Sequence, residues 1–293
     1  MSIVVGVSAE ESSADAIALA AALAHLMDES VVVAHVQPPT IDDPSIGNVD
    51  AEWTAYLHEQ EQAIHSRAIE LLSSRWGVED VESVTVANTA VSRGLLEVAD
   101  RVGASVIVVG PGAIRGESRV WLGSTAQSLI HGSHVAVALA PEGYRDRAPG
   151  RLSRLVVGFR DGDPGVRTLH WAAHTARSAD IDVELLTAII RVTRIVNVRL
   201  GRDPERAVLQ ALREQETQAQ HMATQGLGTP VHGVVVEGDS AEEALDGFDW
   251  RGGDVFVLGS SRFGIVSGVL LGDVGKKLLR ASPVPALVLP RHE

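Results

Sequence analysis

The chain has no cysteine among its 293 residues, which excludes a disulfide framework, a thiolate metal site and a cysteine nucleophile. A reducing, cytoplasmic setting is the expectation. Aromatic residues are also scarce, at 4% against 45% apolar residues overall, so Val, Ala and Leu dominate the apolar part. That balance fits buried parallel strands and Ala-rich helices better than an antiparallel sandwich. Long hydrophobic runs are missing: the longest, Ile17 to Met27, is about half of the roughly 20 residues a membrane helix needs, and it contains His25. No basic residue precedes the apolar run at the start, so neither a signal peptide nor a membrane partner is expected. Bases are outnumbered 25 to 38, for a net charge of −13, which argues against nucleic acid as a partner because phosphate backbones would be repelled.

Several catalytic signatures are absent too. There is no Gly-x-Ser-x-Gly elbow, no Walker-type phosphate loop and no His-Glu-x-x-His pair, so hydrolase and P-loop readings lack their starting residues. His170 and His174 are four apart, on one helical face, but no third ligand is visible, and metal sites ordinarily take at least three protein ligands. No metal site is expected beyond Mg²⁺ carried by a nucleotide.

What the chain does contain is itself, twice. Ile3 to Val7 is a β-branched run ending near a glycine and followed by a helical pattern from Ser13 to Met27; Leu155 to Phe159 repeats it, Gly158 lying 152 residues after Gly6. Val31–Val36 answers to Val183–Ile190, each before a Pro-containing excursion (Pro38, Pro39 and Pro44; Pro204) and a long polar helix, 51–76 and 204–225. Third strands at 84–87 and 234–237, short helices at 95–101 and 241–248, and fourth strands at 105–109 and 255–258 follow in order. Each copy closes with a short helix and an apolar strand, 135–139 and 286–289. Strands alternating with helices predict an α/β fold of two tandem doubly wound domains, each a five-stranded parallel sheet in the order 3-2-1-4-5. The domains are expected at 1–143 and 153–293, joined by a linker over 141–153. In that order both closing strands lie on sheet edges, and natural edges avoid such apolar stretches unless paired. They are therefore expected to pair with each other.

Ligands of open doubly wound sheets bind beyond the carboxyl ends of the strands at the switch point, here between strands 1 and 4. After strand 4, Gly110-Pro111-Gly112 opens a loop that ends at Gly123-Ser124-Thr125, at the start of a helix. Backbone N–H groups and hydroxyls at a positive helix end make a phosphate cradle. Ser124 has a second role open to it as helix N-cap, worth about 1 kcal/mol without any ligand. The same holds for Asp273, its counterpart in copy two.

These residues resemble the universal stress protein family in its tandem form, over nearly the whole chain. The family's ATP pattern is glycine, two residues, glycine, nine residues, then glycine with serine or threonine; Gly110 and Gly123-Ser124 keep the spacing, with Ala113 at the middle glycine. The resemblance implies phosphate contacts from Gly110, Ala113, Gly123, Ser124 and Thr125, with Val7, Ser8 and Val36 near base and ribose. It also implies dimerisation through the closing strand. Ala113, if it needs a left-handed backbone, costs roughly 1–2 kcal/mol relative to glycine. In copy two Gly259 and Gly272 remain, but Arg262 and Asp273 stand at the middle glycine and the serine. A carboxylate about 4 Å from a phosphate charge repels it by roughly 4 kcal/mol at an effective dielectric of 20. Pairing of Arg262 with Asp273 would fill the vacated site. The family's aspartate after strand 1 is missing from both copies, where Ser8 and Arg160 stand instead.

Three readings follow. The first is a stress-response regulator with one ATP site, in the N-terminal copy, functioning alone or as a homodimer. The second is a nucleotide-free interaction or scaffold protein on the same fold. The third, a slow ATPase, ranks last because neither a general base nor a metal-ligand set is visible near the loop.

Overall fold

The computed structural model describes residues 1–39, 49–112, 119–120, 122–191, 202–260 and 273–290. Copy one contains β1 (Ser2–Val7), α1 (Ser13–Met27), β2 (Ser30–Gln37), α2 (Val49–Glu70), β3 (Val81–Ala87), α3 (Val91–Val102), β4 (Ala104–Val109), α4 (Ser124–Gly132) and β5 (Ala136–Leu139). A short helix, α5 (Tyr144–Arg147), follows. Copy two contains β6 (Arg154–Gly158), α6 (Asp163–Ala179), β7 (Asp182–Ile190), α7 (Arg202–Thr224), β8 (Val231–Gly238), α8 (Ala241–Asp246), β9 (Asp254–Gly259), α9 (Asp273–Ala281) and β10 (Ala286–Leu289).

The strands form one sheet in the order β3-β2-β1-β4-β5-β10-β9-β6-β7-β8. Each half has the expected order, and pairing within each half is parallel. The halves meet at β5 and β10, which run antiparallel with Ala138 opposite Leu287. Both strands are buried throughout, so each apolar edge covers the other.

Two apolar layers flank the sheet, and both run across the two copies. One is built on α1, α6 and the inner faces of α2 and α7; the other lies under α3, α4, α8 and α9. α1 shows little amphipathic contrast because it is apolar nearly all round and buried from Asp15 to Ala24 and at Leu26. Both α1 and α6 end on an aspartate in the left-handed region, Asp28 and Asp180, each with φ 54°. Aspartate tolerates that conformation better than most residues.

Three expectations need correction. The long helix of copy one ends its α-helical part at Glu70 and continues as a π-helical turn, Leu71–Arg75, that buries Leu72. The linker is not featureless: α5 docks on α1, because the buried Asp15 carboxylate accepts the Gly143 and Arg145 N–H groups at 3.1 and 2.9 Å. Third, the residue capping α4 is Gly123, with no side-chain cap bond, and Ser124 is already the first helical residue. Pro44, Ala113, Arg262 and Gly272 lie outside the described residues, and so does the expected Arg262–Asp273 pair.

Candidate functional site

At the carboxyl ends of β1 and β4 a cleft of about 320 Å³ opens, within the size range of small-molecule sites. Of the eight residues expected at a site, seven line it: Val7, Ser8, Val36, Gly110, Gly123, Ser124 and Thr125. The eighth, Ala113, is the one outside the described residues. The structure adds Glu10, Ser12 and Ser13 from the β1–α1 turn, and Val91 and Leu95 from α3.

Close packing of backbone shapes the floor. A Cβ on Gly110 would lie 2.7 Å from the Ser12 carbonyl oxygen, so only glycine lets the end of β4 come this near the start of α1. A Cβ on Gly123 would lie 3.1 Å from the Gly112 Cα, which brings the two ends of the loop together. Above this floor stands the first turn of α4. Because Gly123 has no side chain, no cap oxygen occupies the N–H groups there, and they carry the positive end of the helix dipole.

The β1–α1 turn is fastened by hydroxyls. The Ser8 N–H donates to Ser13 Oγ at 2.9 Å, Ser13 Oγ lies 3.1 Å from the Ser8 carbonyl oxygen, and the Glu10 N–H reaches Ser8 Oγ at 3.3 Å. Glu10, the one acidic residue among the described lining, accepts a bond from Ser12 Oγ at 3.2 Å. Behind the turn, His35 Nδ1–H donates to the Val7 carbonyl at 3.1 Å and fixes the end of β1. Its ring meets the His65 ring edge-on, centroids 6.4 Å apart, and His65 Nε2 is 3.2 Å from Thr85 Oγ1. Burial pushes the His65 imidazole below its ordinary value, with Glu61 opposing and His35 adding to the effect.

The far end of the loop is anchored to copy two. Arg119 donates to the Ala281 carbonyl at 2.8 Å and to both Asp246 carboxylate oxygens, and the Val120 N–H donates to the Ser282 carbonyl at 3.2 Å.

Matching positions in copy two carry more bulk. Phe159 stands for Val7, Leu186 for Ala34 and Leu258 for Val109, and all three are buried. Thr187 takes the place of His35 and donates to the Phe159 carbonyl at 3.2 Å. Asp273 opens α9, so a negative charge sits where α4 presents Ser124. His170 and His174 both lie on α6, and among the described residues no three His, Cys, Asp or Glu side chains cluster as a metal site.

The description "Universal stress protein family" belongs to the profile that matches this chain, and it matches twice, over residues 1–141 and 152–290. A universal stress protein of Mycobacterium bovis is 34% identical over 292 residues, covering 99% of this chain and all of that protein. One from Mycobacterium tuberculosis matches to the same extent. Among solved structures, a universal stress protein of Archaeoglobus fulgidus superposes with a TM-score of 0.64 at 15% identity, covering 99% of this chain and 98% of that one. A second, from Pseudomonas aeruginosa and titled a putative universal stress protein, gives 0.59 at 14% identity, with coverages of 98% and 92%. At these identities the structures speak for the fold.

Proposed function

The chain belongs to the universal stress protein family as a tandem pair of family domains, and on that premise we propose that it is a cytoplasmic stress-response regulator that binds ATP in its N-terminal copy alone. The observation that carries this reading is the convergence of Val7, Ser8, Val36, Gly110, Gly123, Ser124 and Thr125 on one cleft at the uncapped start of α4. Phosphates would lie against Gly110 and the first-turn N–H groups, where an anion gains up to about 1 kcal/mol from the helix end. Base and ribose would lie toward Val7, Ser8 and Val36, and Mg²⁺ would arrive with the nucleotide. Copy two is closed to the same ligand by Phe159, Leu186 and Leu258 and by the charge of Asp273. The domains divide at 1–143 and 153–293 in this reading. Pairing of β5 with β10 supplies the family's edge contact within one chain, leaving β3 and β8 as the outer edges for a homodimer.

A nucleotide-free scaffold is the second reading, favoured by one observation: no Lys, Arg or His is found among the described residues lining the cleft. Native mass spectrometry of freshly purified protein, with ATP added, separates the two. One adduct of nucleotide mass per chain supports the first reading; a bare chain at all ATP concentrations supports the second.

A further inference from the structure

A different cavity, of about 290 Å³, lies where the two copies meet, between α6 with the ends of β9 and β10 on one side and the starts of β4 and β5 on the other. Its origin is visible in the internal symmetry. The pseudo-twofold axis through the β5–β10 pair relates this cavity to a groove beside α1, with Arg167 matching Asp15 and Ser260 matching Pro111. In the α1 groove the chain fills the space itself: α5 follows β5, hangs from Asp15 by two backbone bonds, and buries Tyr144 to 2% exposure. Beyond β10, no described segment takes the equivalent place.

The chemistry of the open cavity also differs from that of its filled counterpart. Arg167 makes no hydrogen bond or ion pair among the described residues, and no Asp or Glu is among the described residues lining the cavity, although the whole chain has a net charge of −13. Ser260, also on the lining, is only 5% exposed, and its hydroxyl has no hydrogen-bond partner. Such an orphaned hydroxyl is costly unless something bonds to it. Gly259, beside Ser260, leaves no room for a Cβ against the hydroxyl of Thr168, so α6 packs closely on the end of β9, and Arg167 and Ser260 both line the cavity at this junction. Trp171, Met27, Val106 and Leu289 supply the apolar part of the lining, and its other polar side chains are already bonded: Ser105 to Glu29, His134 to Asp100 and Thr168 to the Pro164 carbonyl. At roughly 30 Å³ for each water-sized group, the space takes a ligand of about ten non-hydrogen atoms.

We propose that this cavity is a second ligand site, separate from the nucleotide cleft, for a small amphipathic carboxylate. Its apolar body packs between Trp171 and Met27, while its carboxylate faces the Arg167 guanidinium and accepts a hydrogen bond from the Ser260 hydroxyl.

Octanoate is the probe and 1-octanol its uncharged control, each titrated into the full chain while the Trp171 indole N–H is followed by NMR, its signal assigned with Trp171→Phe. Octanoate is expected to shift that signal saturably. Arg167→Gln, on an exposed position, should weaken octanoate roughly tenfold, the scale of one charge-assisted hydrogen bond, and leave octanol unchanged. Ser260→Ala should weaken octanoate by a smaller factor. Saturating ATP should change none of these affinities, so the result is independent of the nucleotide reading. An unmoved Trp171 signal, or octanoate affinity in Arg167→Gln within fivefold of the unmodified chain, would overturn the proposal.

Discussion

Arg119 and Asp246 are 127 residues apart in sequence, yet two guanidinium hydrogen bonds of 3.0 and 3.2 Å join them across the boundary between the copies. Arg119 stands in the loop that leads from Gly110 to Gly123, so copy two holds one end of the structure that forms the copy-one cleft. The pair is largely solvent-facing at Asp246, whose side chain is 58% exposed, and exposed pairs contribute about 0–1 kcal/mol. Asp246→Ala should therefore barely change the melting temperature while weakening ATP by a few-fold, through a loosened loop. Isothermal titration of ATP into this variant tests the link, and an unchanged affinity would mean that copy two does not support the cleft.

Ser124→Asp copies the copy-two residue Asp273 into copy one. A carboxylate about 4 Å from a phosphate charge costs roughly 4 kcal/mol at an effective dielectric of 20, or about a thousandfold in affinity. Aspartate in the first turn suits the helix itself, so thermal stability should be kept or rise slightly. Binding measured by equilibrium dialysis should disappear at micromolar nucleotide. Retained binding would remove the cradle from the account.

A buried ion pair makes the base of copy two unlike that of copy one. Arg154 donates through Nε and Nη2 to Asp254 at 2.9 and 2.6 Å, bonds Glu184 and the Asp249 carbonyl, and lies over the Phe248 ring, while Asp254 is fully buried. Removing one partner strands the other charge, so Asp254→Ala should cost about 3–5 kcal/mol. Urea unfolding followed by circular dichroism measures this; a loss under 1 kcal/mol would show that the pair relaxes into water. Ser2 and Ser105 stand at the matching positions in copy one, where no such penalty arises.

His65 makes stability depend on pH. Its folded-state pKa is depressed by burial from an ordinary value near 6.5, so the folded protein binds this proton more weakly than the unfolded chain does. The contribution is complete above about pH 6.5 and is lost as pH falls toward the folded value. Glu61 is shifted down as well, chiefly by a hydrogen bond from Thr85, but its contribution is lost only at lower pH, in the carboxylate range. Between pH 7.5 and 5.5, therefore, His65→Gln should show a smaller drop in melting temperature than the unmodified chain. Equal drops would assign the acid sensitivity to other histidines.

Much of the fold could be read from the chain because its cues are local. Runs such as Val31 to Val36 are too short and too β-branched for helices, and the apolar closing strands demanded a partner, which they found in each other. What escaped was decided by contacts between distant residues. α5 has only four residues, too few for a periodic signal, and exists because Asp15, some 130 positions earlier, caps it. Arg119 carries no motif of its own, and its role comes from Asp246, which only the fold brings beside it. In the cleft, spacing singled out Gly110 and Ser124 through their likeness to a known pattern, whereas Ser13 and Glu10 carried no motif and joined the lining through the turn they form. The greater bulk of copy two at Phe159 and Leu186 needed the strand register to be placed against Val7 and Ala34, since either residue alone reads as ordinary core.

The central claim is an asymmetry: two copies of one fold, and one nucleotide site. The most direct measurement is the stoichiometry of ATP binding to the full chain by isothermal titration, repeated with Ser124→Asp. The account predicts one ATP per chain and none in the variant; two per chain, or one that survives Ser124→Asp, would contradict it.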